Sequence, residues 1–288
     1  MVRRPTPKTL ILDLLSSLRG RAMPVRALVA AAAVFEISAE SLRVALVRLG
    51  ERGTVARDAR GHYRLTAATE PVQRHVAGWM ALEERVLPWR GGWVAVHTAG
   101  VGRADRAGLR RRERALHWLG LRQLSSGLFV RPDNLRGGVD AVRDELRALG
   151  LEPTALVFAL TRLDAAGEAA ARRLWDPAAL RRVYRDAAAA LARSARGLAA
   201  LPPPRAMVES FLLGGDAIRQ LAHDPLLPEP LGPQAERAAL VAALRDYDRL
   251  GRACWRDFLR AHGAPHLSAP RAAVDGGWAA PLTGGLAT

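Results

Sequence analysis

Leu10, Ile11, Leu14, Leu15 and Leu18 recur at three- and four-residue intervals, so Thr6–Arg19 is expected to form an amphipathic helix. Gly20 ends it, and Pro24 can open a second helix at its first turn, running to about Ala33. The pattern breaks at Val34-Phe35-Glu36-Ile37. Ser38 then suits the N-cap of a third helix, with Glu40 in its first turn. In that helix Leu42, Ala45, Leu46 and Leu49 share one face, and Arg43 and Arg48 flank it, each about 110° from its centre. Ser41, Val44, Val47 and Arg52 fill the exposed side. Gly53 stops the helix, and Val55–Arg57 and His62–Leu65 read as two short strands around Asp58–Gly61. This order suits a winged helix: the third helix lies in the DNA major groove and the hairpin rests on the adjacent phosphates. The competing reading is a plain three-helix bundle with a solvated arginine edge.

Further along, Pro71–Val86 is expected to be a linker helix, and Trp89–His97 contains a strand-like run. A basic helix from Arg103 to Trp118 follows, then a hairpin of Leu121–Leu124 and Leu128–Arg131 about Ser125-Ser126-Gly127. A helix from about Leu135 to Leu149 and an apolar strand, Ala155–Leu160, complete a βαββαβ order, the ferredoxin-like arrangement. From Asp176 the pattern is helical, over Pro177–Leu201, Arg205–Leu221 and Gln234–Arg260. The expected class is therefore α+β. It comprises an N-terminal winged helix-turn-helix at 1–68, a linker helix at 69–88, a ferredoxin-like domain at 89–174 and an all-α region at 175–262. The Gly-, Pro- and Ala-rich stretch 263–288 is expected to be a disordered or loosely docked tail.

Charge sharpens this picture. The 288 residues carry a formal net charge of +15, and the excess is densest at the start, where residues 1–66 hold 12 basic and 5 acidic side chains. A basic footprint of this kind suits DNA. Lys8 is the only lysine among 43 basic residues, however, so part of the arginine excess reflects a GC-rich coding bias. The single cysteine, Cys254, permits no internal disulfide and fits a reducing cytosol. The start of the chain has no secretory pattern, and no apolar run approaches the roughly 20 residues needed to span a bilayer. A cytoplasmic protein with no membrane partner is expected.

Several motifs, taken together, resemble the PaaX-type transcriptional repressors (phenylacetic acid degradation). They are Thr9–Leu14, Phe35-x-Ile37, Leu42-Arg43-x-Ala45-Leu46-x-Arg48-Leu49 and Gly61-x-Tyr63-x-Leu65-Thr66. Glu36 stands where that family usually has glycine. Trp89-x-Gly91-x-Trp93, Arg106 to Gly120-Leu121, and Leu128-x-x-Arg131-Pro132 are similar to the family's central Cas2-like domain, with Leu121 where many relatives have phenylalanine. Trp175-Asp176, Leu180, Tyr184, Phe211-Leu212 and Asp224-Pro225-x-Leu227-Pro228 are similar to its C-terminal domain, although Gly232-Pro233 lacks the usual tryptophan.

The resemblance implies a homodimeric repressor of phenylacetic acid catabolism that binds an inverted-repeat operator in duplex DNA. It also implies release by a small effector, phenylacetyl-coenzyme A in the namesake. The DNA-binding set is Lys8, Ser38, Ser41, Arg43, Val44, Arg48, Arg52, Arg57, Arg60 and His62. Trp93, Arg106, Arg110 and Arg131 are the candidate effector residues, the arginines through phosphate contact; DNA backbone is the competing use for the basic helix. Cas2-type nucleases hold a metal with an acidic residue at the end of the first strand, where this chain has Trp93–Thr98 without a carboxylate. A Cas2-like, metal-dependent nuclease tethered by the winged helix is the alternative, with Asp105 the nearest acid. Walker, HExxH, CxxC and GxSxG motifs are all missing. No catalytic residue, metal set or cofactor is assigned.

Overall fold

The computed structural model describes residues 4–98 and 105–265. Helix α1 (Pro7–Ser17) is capped by Thr6, whose hydroxyl accepts from the Thr9 amide while the Thr9 hydroxyl accepts from the Thr6 amide. A two-residue strand, β1 (Met23–Pro24), leads into α2 (Val25–Val34), and α3 (Ala39–Glu51) follows after a four-residue break. Strands β2 (Val55–Arg57) and β3 (His62–Leu65) complete the wing, and the sheet is three-stranded, in the order β1-β3-β2. β1 was not expected: Pro24 belongs to it and immediately precedes α2, and two residues carry no period from which a strand could be read.

The segment expected as one linker helix is shorter and broken. α4 (Glu70–Ala77) gives way to 3-10 turns at Gly78–Ala81 and Glu83–Arg85. β4 (Trp93–His97), α5 (Arg106–Trp118), β5 (Arg122–Ser125), β6 (Leu128–Pro132), α6 (Gly138–Ala148) and β7 (Leu156–Leu160) then build an antiparallel sheet in the order β5-β6-β4-β7. The first expected residues of the basic helix, 103 and 104, lie outside the described residues, as do 266–288 of the expected tail. An additional helix, α7 (Ala165–Arg172), follows β7, capped by Asp164, whose carboxylate accepts from the Gly167 amide at 2.7 Å. Its alanine-rich sequence carries no large apolar stripe, which is why periodicity passed over it. Helices α8 (Pro177–Gly197), α9 (Pro203–Ala222) and α10 (Gln234–Ala261) finish the described chain.

Three apolar cores hold these elements together, and they cross the expected segment limits. Val94 and Val96 on one face of the larger sheet share a core with Leu116, Val142 and Leu146 of α5 and α6, and with Tyr184, Leu240 and Leu244 of the C-terminal helices. On the opposite face Trp93, Ala95 and Val130 pack with Ala171, Trp175, Leu227 and Leu231. The winged-helix core, Leu10, Ile11, Leu28, Leu42, Leu46 and others, includes Met207 of α9 and Trp255 and Leu259 of α10.

Candidate nucleic-acid interface

α3 is held by its own sequence in a fixed orientation. Leu42, Leu46 and Leu49 are no more than 2% exposed and anchor it in the core. Ser38 caps its start, accepting from the Ser41 amide at 3.2 Å and donating to the Ser41 hydroxyl at 2.9 Å. The opposite side stays open: Ser41, Arg43, Val44, Val47, Arg48 and Arg52 are all exposed. Among the described residues no carboxylate pairs with Arg43, Arg48, Arg52 or the exposed Lys8. Between the start of α1 and this side of α3 runs an open groove of about 450 Å³, lined by Thr6, Pro7, Lys8, Ser41, Val44, Arg48 and Arg52, among others. Lys8, Arg48 and Arg52 border this concave surface and outnumber the one acid in its lining, Glu40 at the start of α3, so its net charge suits a phosphate backbone away from that end.

The wing is organised by Asp58. Its carboxylate accepts from the amides of His62 at 2.8 Å and Arg60 at 3.0 Å, and these hydrogen bonds, with His62 first, hold it below the usual carboxylate range. Gly61 closes the turn at φ 78°, a left-handed conformation that glycine adopts without strain. Arg57 and Arg60 are exposed at this tip, and Arg64, which lay outside the expected set, is exposed further along β3 opposite Ala56. His62 is half-buried, and its Nδ1 lies buried 3.4 Å from the Asp58 carboxylate without a hydrogen bond among the described residues. The expected DNA-binding residues thus lie on one small module, with Ser38 committed to capping. Sequence reasoning left out Thr6 and Pro7, whose place in the groove depends on how α1 packs, and Val47, whose helical angle already marked it as exposed.

The turn before α3 is not free-standing. The Phe35 ring lies 5.1 Å from Phe211 of α9 and 6.3 Å from Trp255 of α10, centroid to centroid. Asp13 of α1 meets Arg219 of α9 at 3.3 Å; burial pushes the Asp13 carboxyl up, against the pull of Arg219. The helix that presents the cations is thereby joined to the C-terminal helices.

The four candidate effector residues separate into two pairs. Arg106 and Arg110 are exposed on α5. Trp93 and Arg131 are each 1% exposed and do not line an open site, which corrects the expectation. Trp93 donates to Glu168 at 2.9 Å and stacks on Trp175 with centroids 6.1 Å apart. Arg131 donates to the carbonyls of Leu119, Pro132 and Pro225 and to the Asn134 side chain. Burial, then the charge of Arg85, pushes its guanidinium down to about 9, so it remains cationic at neutral pH. It is a structural cross-link between β6 and the Pro225 segment.

Asp105, the acid nearest the end of β4, is occupied as the N-cap of α5. It accepts from the Ala107 amide at 2.9 Å and pairs with Arg111 at 3.3 Å. Backbone hydrogen bonds from Gly108 and Ala107 hold its carboxyl low. Among the described residues no cluster of three or more His, Cys, Asp or Glu side chains is placed to hold a metal ion. None of the helices there is long and apolar enough to cross a membrane.

Comparison with known proteins places this module. A protein-family model described as "PaaX-like protein" matches residues 6–69, the winged helix with its wing. No curated protein matches the chain. Among solved structures, the uncharacterized protein Rv0674 from Mycobacterium tuberculosis is similar at 25% sequence identity and a TM-score of 0.57; the match covers 88% of this chain and 98% of that one. The match to the PaaX-like family model is thus confined to residues 6–69, the module that presents α3 and the hairpin.

Proposed function

We propose that the protein is a DNA-binding transcriptional repressor, which inserts α3 into the major groove of an operator and rests the wing on the flanking phosphates. The observation that carries this is the open face of α3. Three arginines and Lys8, unpaired with any carboxylate among the described residues, surround a helix anchored by a buried leucine stripe. Repression follows from occupying promoter DNA. A two-fold homodimer would present paired α3 helices to an inverted repeat, with half-sites about 34 Å apart.

The proposal includes release by a small effector of the aryl-acyl-coenzyme A class. Arg106 and Arg110, exposed on α5, supply guanidinium groups for its phosphates. The packing of Phe35 on α9 and α10 gives such a ligand a route to α3, because any shift of those helices displaces the turn that sets its angle.

The test is an affinity measurement by fluorescence anisotropy on operator duplex selected from a random-sequence pool. Arg43→Ala or Arg48→Ala is expected to cost about 1–3 kcal/mol on operator if the side chain reads a base, and the same on random duplex if it binds phosphate. Binding unchanged in both variants, over a range of salt, would remove the basis of the proposal. Addition of phenylacetyl-coenzyme A is expected to weaken operator binding, and a reporter gene behind the operator distinguishes repression from activation.

A further inference from the structure

The direction on α3 opposite its buried leucines carries no arginine. At about 100° per residue, it falls between Val44 and Val47. These side chains are 44% and 60% exposed and stand three residues apart, hence side by side on the helix surface. Arg43 and Arg48 straddle them, and Glu40 and Glu51 stand at the two ends of the same face. A solvated helix face gives no reason for this pair, since the branched Cβ makes valine a poorer helix former than alanine, leucine or lysine. The same branching confines valine to essentially one rotamer in a helix, so the pair forms a rigid apolar patch.

We propose that Val44 and Val47 read thymine C5-methyl groups on the floor of the major groove. This inference rests on the DNA-binding reading above and deepens it. Thymine is the base whose groove edge carries a methyl group, and short apolar side chains are its complement. The surroundings favour this occupant over an apolar protein surface, because the patch sits between cations that pair with no carboxylate among the described residues, and Val44 itself lines the groove bordered by Lys8, Arg48 and Arg52. Glu40 and Glu51 repel phosphates at both ends of the helix, so its middle, where the valines are, makes the closest approach. The two valines are offset by about 4.5 Å along the helix axis, close to the 3.4 Å step of stacked base pairs. The patch therefore covers methyl groups on the same or neighbouring pairs, while Arg43 and Arg48 reach outward to guanine edges or phosphates.

The full chain is first used to select duplexes from a random-sequence pool. In the enriched duplex each thymine is then replaced in turn by deoxyuridine, which deletes the methyl group and keeps every hydrogen-bonding atom. Replacement at one or two neighbouring positions per half-site is expected to weaken binding about three- to tenfold, the worth of one or two buried methyl groups. That penalty should shrink toward none in Val44→Ala or Val47→Ala, exposed substitutions that leave the core untouched. Uracil tolerated at every position overturns the inference while leaving DNA binding intact. So does a penalty that persists in both valine variants, or a Val47→Ala protein that changes oligomeric state and keeps its sequence preference. Failure of any duplex to enrich overturns this inference together with the DNA-binding reading beneath it.

Discussion

Glu36 occupies the left-handed region at φ 60°, in the turn that sets the angle between α2 and α3. A residue with a Cβ is disfavoured there by about 1–2 kcal/mol, whereas glycine is not. The conformation is kept because Phe35 and Ile37 on either side are both drawn into the winged-helix core. Glu36 recovers part of the cost through an exposed ion pair with Arg4 at 2.8 Å, a contact worth well under about 1 kcal/mol in solvent. Glu36→Gly is thus expected to stabilise the protein by about 0.5–1 kcal/mol, read as a raised Tm. Glu36→Ala, which loses the ion pair and keeps the strain, should not stabilise it; equal gains in both would refute backbone strain as the cause. At this scale the sequence was informative where a residue's neighbours are its own helix. The leucine stripe, the Ser38 cap and the arginine margins of α3 all follow from local spacing. Trp93 and Arg131 could not be placed that way, because their partners, Glu168, Trp175 and Pro225, are far along the chain.

At the scale of elements, α4 is held by charge as well as by apolar packing. His75 presents Nδ1 to the Glu145 carboxylate of α6 and Nε2 to the Ala222 carbonyl of α9, each at 2.8 Å. Arg85, in the 3-10 segment that follows, donates to the other Glu145 oxygen at 2.5 Å. Burial acts to raise the Glu145 carboxyl, but the hydrogen bond from His75 and the charge of Arg85 outweigh it and hold the group below its ordinary value. A carboxyl with a depressed folded value stabilises the fold at all pH above its unfolded value of about 4.3, and that contribution disappears as pH falls through the lower folded value. Glu145→Gln is expected to lower stability by about 1–3 kcal/mol at pH 7, because the charge-assisted hydrogen bonds from His75 and Arg85 then meet a neutral amide in place of a carboxylate. The gap between the two proteins should close on acidification below about pH 4. A gap independent of pH down to pH 2 would show that the carboxylate charge is not what joins these elements. This cross-link also accounts for the broken linker. A single helix over 71–86 satisfies the local pattern, but Trp79, Leu82 and Arg85 are all drawn inward, and the backbone tightens into 3-10 turns to bury them. Such tertiary demands leave no trace in a window of neighbouring residues.

Over the whole molecule the consequential feature is that the winged helix shares its core with α9 and α10. Phe35, Phe211, Trp255 and Phe258 form a continuous aromatic cluster, and the Trp255 indole donates to the Met207 carbonyl at 3.2 Å. A module joined to its neighbour only by a tether would unfold on its own. One that shares a buried cluster of this size is expected to unfold with its neighbour, so calorimetry of the full chain should show a single cooperative transition. Trp255→Ala removes the centre of the cluster and is expected to cost about 3–5 kcal/mol, with the endotherm separating into two as the winged helix loses its support. Phe35→Leu keeps an apolar side chain at the HTH turn and should leave one transition. It loosens the contact that fixes the α3 angle, so under the DNA-binding role proposed above operator affinity is expected to fall more than affinity for random duplex, because base reading requires orientation and phosphate contact does not. Two separate transitions in the unmodified protein would show instead that the winged helix is energetically independent, and an effector bound elsewhere would then need another path to α3.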